Sequence, residues 1–328
     1  MKNESIERKE EYKSFVEKNY VQIYSQPWWM DAICGSDNWD VWLYKSGGNI
    51  LAAMPYYLEN RGNYKYVTRA PFTQINGILF AEKNENERIT ATAEREEKII
   101  NAAIEYIEGL GLDVYEQQYP YSFTNWSPFF WHRYSNQVRY TYVIESPGNK
   151  EEILDRCSSS YRKCIKKGLR NVEISENISE EEFYQEHKKV FDKQGIEVNL
   201  KRDMWSRMIE ACTLHNCGKL ICAKDELGNN HGVMYLVWDE QAMYPILGGY
   251  NPEYSYSQGY PALTYYSICL AGEMGLKYDF EGSMIKNVAH SFRQFGGTPM
   301  PYYRIRKVFN PEIVRKEAED YILNLYNE

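Results

Sequence analysis

The chain has 328 residues, with 38 Lys and Arg against 46 Asp and Glu for a net charge of −8, and 30 Tyr help lift its aromatic content to 15%. So many aromatics exclude a disordered chain. The acidic balance excludes a protein that grips nucleic acid by bulk positive charge, so DNA is not an expected partner. The length corresponds to about two domains. No stretch approaches the ~18 apolar residues of a membrane span, and the N-terminal MKNESIERKEEYKSF reads as neither a signal nor a transit peptide. A cytoplasmic location is the expectation, with peripheral contact at a membrane left open. The seven Cys are odd in number and show no CxxC, which points to reduced thiols. His215 lies between Cys212 and Cys217, but no second ligand cluster with zinc spacing accompanies it, so no metal is expected.

In chain order, residues 5–19 read as a helix. QPWWMDAIC (26–34) reads as a short one with Trp28, Trp29, Ala32 and Ile33 on its apolar side. WDVWLYKSGGNILAAMPYYLE (39–59) is two apolar runs around Ser-Gly-Gly-Asn, the signature of a hairpin. YKYVTR (64–69) and INGILFA (75–81) continue the sheet. Ile99, Ile100, Ala103, Ile104 and Ile107 recur with helical period within 86–110. LDVYEQQ (112–118) and VRYTYVIE (138–145) are strands, and SPGNK (146–150) resembles a linker.

The second half repeats this plan. A basic helix occupies 159–169 and a strand 171–176. Ser179 and Glu182 predict a capping box, with Ile178 and Phe183 as its hydrophobic staple. A helix (204–214), three strands within 218–250, a helix (about 259–274) and the strand LKYDFEGS (276–283) follow. A short helix around SFRQF, a strand at 301–308 and a terminal helix complete the chain. Gly111-Leu112 and Gly275-Leu276 mark matching helix exits in the two halves. The predicted class is α/β (α+β in detail). Two tandem units, 1–148 and 149–328, each carry a mixed, mostly antiparallel sheet flanked by helices.

Three constellations could carry chemistry. In GGYNPEYSYSQGYPALTYYSICLAGEMG (248–275) a strand ends near Tyr250, and a loop with Ser257, Gln258 and Gly259 leads into a helix. Helix N-termini present unpartnered amides and a positive dipole end to anions, and Gly259 would let a phosphate approach. The plain alternative is an ordinary capped helix. In SSYRKCIKKGLRN (159–171), Arg162, Lys163, Lys166, Lys167 and Arg170 share one helical face. That face suits phosphate groups of a substrate or tRNA, or simply solvent. In YDFEGSMIKNVAHSFRQFGG (278–297), Asp279, Glu281 and Ser283 alternate at a strand end, where a carboxylate could take a proton. Arg293 and Gly296-Gly297 suggest a tight, ligand-facing turn. P-loop, GxGxxG, GxSxG and HExxH patterns are missing, and the five His are scattered. The aromatics of 119–134 read as a long recognition loop, and Tyr250–Tyr266 as a ligand-facing group.

With PWWMDAIC, AAMPYYLE, SYRKCIKKG, SYSQGYPALTYYSICLAGEMG, YDFEGSM and SFRQFGG in this order, the chain resembles the GNAT-like acyltransferases of the FemAB/FemX type. The resemblance implies two GNAT-like units with the acyl-donor site in the second. It implies transfer of an acyl group from acyl-CoA to an amine of a cell-envelope or sugar-type precursor. Aminoacyl-tRNA is the alternative donor, and a lipid- or nucleotide-linked compound the acceptor. An inert binding module of the same fold is the rival reading. The resemblance places donor binding at Ser257, Gln258, Gly259 and Gly249. The acceptor or its phosphates would meet Arg162, Lys166, Lys167, Arg293, Tyr254 and Tyr256. Glu281 or Asp279 would accept the proton, backbone amides of 246–249 would hold the oxyanion, and Tyr250 would protonate the thiolate. Where relatives carry an aromatic–Lys pair, Phe292-Arg293 stands here, and Arg keeps the charge but cannot act as a proton carrier. The FemAB coiled-coil insertion is missing, which favours an acyl-CoA donor.

Overall fold

A computed structural model describes residues 2–82, 87–192 and 201–325. They form two compact units: residues 1–138 with 302–328, and residues 139–301. The expected division after residue 148 differs from this grouping. The chain's C-terminal strand returns to the first unit, because Tyr303–Val308 pair with Val114–Tyr119.

The first unit begins with helices α1 (Lys2–Val16) and α2 (Pro27–Cys34). Strands β1 (Trp39–Ser46) and β2 (Asn49–Arg61) form the predicted hairpin. Gly47 and Gly48 both adopt positive φ at its turn, a conformation that costs Gly little. β3 (Tyr64–Thr68) pairs antiparallel with β2. Helix α3 (Ile89–Gly109) buries the four Ile and Ala103 named by its periodicity, each Ile contributing roughly 1.5–3 kcal/mol of burial. Gly111, at φ 63°, turns the chain out of that helix into β5 (Val114–Tyr119), which runs parallel to β3.

Two expectations are corrected in this unit. Of residues 75–81 only β4 (Leu79–Phe80) is strand. The aromatic segment 119–134 is not an open recognition loop. It contains helix α4 (Ser127–Trp131), and Tyr119, Phe123, Phe129 and Tyr134 are buried in the unit's core, leaving Phe130 and Trp131 exposed. Rings of this size contribute more by filling the core against β5 than they would in water.

The second unit takes the later part of β6 (Ser135–Ile144), then helices α5 (Lys150–Arg156) and α6 (Ser159–Asn171). Strand β7 (Glu173–Ser175), helix α7 (Glu180–Asp192) and helix α8 (Arg202–Leu214) follow. The Ser179 hydroxyl accepts the Glu182 amide at 3.1 Å and the staple residues Ile178 and Phe183 are buried. The Glu182 carboxylate, however, takes a hydrogen bond from Asn230. β8 (Gly218–Lys224), β9 (Asn230–Trp238) and β10 (Ala242–Tyr250) form an antiparallel meander. Helix α9 (Gly259–Glu273) crosses over to β11 (Lys277–Asp279), which is parallel to β10 and antiparallel to β6. Helix α10 (Lys286–Gln294) and strand β12 (Thr298–Val308) lead back to the first unit and helix α11 (Pro311–Leu325). Among the described residues no helix is long and apolar enough to cross a membrane.

Candidate active site

The second unit holds an opening in its sheet. β10 pairs with β11 only at Ala242–Lys277 and Met243–Tyr278, then parts from it. Its register against β9 slips between Pro245 and Leu247, a β-bulge that leaves Ile246 unmatched. Alternate residues beyond Met243 therefore turn backbone N–H and C=O groups toward a side that β11 no longer covers. Glycines let neighbours close in. A Cβ on Gly248 would lie 2.9 Å from the Val233 carbonyl and 3.1 Å from the Tyr260 hydroxyl. Tyr260 is neutral, its phenol pushed up to about 12 by burial.

A 3₁₀ turn (Pro252–Ser257) joins β10 to α9, and the Asn251 side chain accepts the Glu253 amide at its start. Gln258 occupies the cap position of α9. It adopts a left-handed conformation, φ 62°, and its side chain makes no cap bond. Ser257 is buried, and its hydroxyl accepts the Gly259 amide at 3.1 Å while its carbonyl accepts from Asn171 at 3.0 Å. Gly259 has a packing reason: a Cβ there would meet His231 Cβ at 2.9 Å. Gly168 of α6 has another, since a Cβ would lie 2.2 Å from the Gln258 carbonyl. The end of the basic helix is thus seated on the first turn of α9.

Asp279, at the end of β11, is buried. Its Oδ1 accepts from the Thr141 hydroxyl and, at 2.9 Å, from the Glu281 amide. Burial pushes its carboxyl up to about 6 against those two donors. The expected alternation of Asp279, Glu281 and Ser283 is broken. Glu281 has φ 61° and Gly282 φ 77°, and a Cβ on Gly282 would collide with the Tyr140 carbonyl at 2.4 Å. Glu281 thus projects from a turn, not a strand. Arg293 donates to the Tyr142 hydroxyl at 3.0 Å, and Tyr142 in turn accepts the Phe280 amide at its carbonyl. The Gly296-Gly297 turn packs on the chain: a Cβ on Gly296 would meet Arg156 Cγ at 2.2 Å.

The α6 cations divide. Arg162 is paired with Asp155 at 3.5 Å. Lys163, Lys166, Lys167 and Arg170 are exposed and make no ion pair among the described residues. The N-terminal part of α6 reaches α10 through a Tyr161–Ser291 hydroxyl pair at 2.9 Å. Tyr250 and Tyr256 are exposed, while Tyr254 stacks on His231. The structure therefore gathers Ser257, Gln258 and Gly259 with the end of α6, and Asp279 with Glu281. No hydrogen bond joins Asp279 to Tyr250, Tyr254 or Tyr256. Sequence reasoning passed over Thr141, His231 and Gly168. Of these only Gly168, a Gly inside a helical pattern, carried a signal of close packing.

Residues 156–284 match the acetyltransferase (GNAT) domain family. The crystal structure of FemX is similar to this chain with a TM-score of 0.67 at 11% identity, covering 94% of this chain and 97% of that one. L-PGS from Bacillus licheniformis has a TM-score of 0.53 at 12% identity, covering 93% and 94%. A tandem GNAT protein from the clavulanic acid biosynthesis pathway has 0.50 at 9% identity, covering 93% and 94%. No curated protein matches the chain.

Proposed function

With a GNAT acetyltransferase domain at residues 156–284 and the chain folded as FemX is, we propose that this protein is an N-acyltransferase working at the opening beside α9. The observation that carries this reading is the parting of β10 from β11 after Met243, next to a helix that begins at Gly259. An extended acyl thioester fits as an added strand in that gap. Amides of 246–249 polarise its carbonyl, and the first turn of α9, with Ser257, Gln258 and Gly259, takes its phosphates. The acceptor amine attacks the carbonyl carbon and loses a proton to Glu281. Collapse of the intermediate breaks the C–S bond, and Tyr250 protonates the thiolate. Asp279 holds the Glu281 amide and so sets the turn that carries the base.

The acceptor in this reading is an amine on a cell-envelope or sugar-type precursor in the cytoplasm, lipid- or nucleotide-linked, its phosphates facing Lys166, Lys167 and Arg293. The exposed cations of α6 favour a second reading, aminoacyl-tRNA as donor, since FemX shares the fold. The two separate in one experiment. Thermal unfolding is followed with a panel of acyl-CoAs and with aminoacyl-tRNA. A donor that binds the native state raises Tm as its concentration passes Kd. Acyl transfer to an amine is then followed with whichever donor shifts. A shift with tRNA alone replaces the first reading by the second, and no shift with either overturns both.

A further inference from the structure

His231 of β9 is only 4% exposed and meets three successive parts of the segment that joins β10 to α9. Its carbonyl accepts the Asn251 amide at 3.0 Å. Its ring stacks on Tyr254 with centroids 4.2 Å apart and planes 9° from parallel. Its Cβ fills the space in which Gly259 has no side chain, 2.9 Å from where a Cβ would stand. The segment 251–259 therefore wraps around this one side chain.

The ring is held from its other edge. Nε2 faces Asp225 Oδ2 at 3.2 Å. Asp225 is the centre of the β8–β9 turn: it accepts from the Asn229 side chain and from the Leu227 and Asn229 amides, each at 2.9–3.0 Å. These donors, Asn229 foremost, hold its carboxyl down at about 2, so the carboxylate stays ionised and keeps a proton on Nε2. Nδ1 is buried and has no hydrogen-bond partner among the described residues. The plane of the ring is thus set by Asp225 on one side and Tyr254 on the other.

We propose that His231 is a positioning residue for the acyl donor: anchored to the β8–β9 turn through Asp225, it is the post that shapes segment 251–259 and presents the first turn of α9. The inference rests on the reading of α9 as the donor helix. The His231 ring never touches the reacting atoms in this role, so its loss acts on donor binding and leaves the chemical step alone.

The test uses the full chain and acetyl-CoA. In His231→Ala, amide exchange across 251–259 accelerates while 218–224 keep their protection. KM for acetyl-CoA rises roughly tenfold with kcat changed by less than about twofold. His231→Phe keeps a flat ring against Tyr254 and restores KM to within about threefold of the wild type. Tyr254→Ala removes the other half of the stack and serves in place of His231→Ala if that variant does not fold. Because Tyr254 is also an acceptor contact in the reading above, it is read through exchange at 251–259 and binary binding of acetyl-CoA without acceptor, which should weaken roughly tenfold. Unchanged exchange at 251–259, or a fall in kcat at constant KM, overturns the inference. If exchange responds but the wild-type protein binds no acetyl-CoA, the donor reading fails and the post around which 251–259 folds still stands.

Discussion

The two units place the same junction in their sheets and treat it differently. In the first, β3 and β5 are parallel partners at only two positions, Tyr66–Val114 and Val67–Tyr115. In the second, β10 and β11 pair at only two, Ala242–Lys277 and Met243–Tyr278. Past that point the first unit fills the gap with its own chain. The Asn76 amide donates to the Gln118 carbonyl at 2.7 Å, and the Gln118 side chain donates to the Gln74 carbonyl at 3.1 Å. Ile75 and Ile78 are buried there, and Trp29 donates to Thr73. In the second unit the chain passes from β10 through a 3₁₀ turn into α9 at once, so the residues between β10 and α9 supply no such segment. Aligned by register, Asp279 corresponds to Glu116 and Glu281 to Gln118. Glu116 is tied to Arg304 and Arg306, and Gln118 cannot take a proton as a base. In the proposed reading, one unit serves as scaffold and the other keeps an opening with a carboxylate beside it.

Glu281→Gln gives the second unit the side chain of the first, and is the sharpest test of this contrast. Turnover should fall by roughly 10²–10³-fold with donor affinity nearly unchanged, the size expected for loss of a general base. Steady-state kinetics with titration of the donor separates the two. Unchanged turnover would remove Glu281 from the reaction and with it the functional meaning of the Glu281–Gln118 difference.

The buried acid of the second unit should also be visible in stability. Asp279 is raised from 3.8 to about 6 in the folded state by burial. A raised carboxyl means the folded protein binds more protons than the unfolded chain between those values. Its contribution therefore falls as pH rises from about 4 to about 6, by at most about 3 kcal/mol. Denaturant unfolding at pH 4 and pH 7 should show stability changing more favourably with rising pH in Asp279→Asn than in the wild type, because buried His187, held down to about 4 by desolvation, contributes in the opposite direction over the same range. Equal slopes would mean that Asp279 titrates normally.

The plug of the first unit can be loosened without touching the second. Gly77 has φ 127°, and a Cβ on it would lie 2.7 Å from the Tyr119 ring. Gly77→Ala should cost about 1–3 kcal/mol from strain and overpacking while KM and kcat stay as they are. A loss of acyl transfer in a folded Gly77→Ala protein would break the assignment of scaffold to one unit and chemistry to the other.

How far these differences could be read from the sequence depends on which forces set them. The buried face of α3 was legible because five apolar positions at helical spacing leave little choice, as was the Gly-Gly hairpin. The strand expected at 75–81 fails because its apolar residues are buried by filling the sheet gap, a long-range cause that alternation does not encode. The aromatics of 119–134 fail for a similar reason, as composition cannot tell a ring facing a ligand from one facing β5. For the site, the helix beginning near Gly259 was legible in the sequence. The turn at Glu281 was not, since its left-handed backbone follows from the approach of Gly282 to Tyr140. His231 gave no pattern at all: its role comes from three contacts far apart in sequence.

The smallest stability effect belongs to the basic face of α6. Lys166 and Lys167 are exposed and unpaired among the described residues, whereas Gly168 beside them is buried on α9. Reversing both charges should therefore change folding stability by no more than about 0.5 kcal/mol. Any effect will appear in binding. If phosphates of an acceptor or of tRNA lie on this face, Lys166→Glu with Lys167→Glu weakens that ligand and flattens the dependence of log K on log salt concentration. Ligand binding that is indifferent to both substitutions and to salt would leave α6 with only the role its buried side already has, holding the first turn of α9 through Gly168 and Asn171.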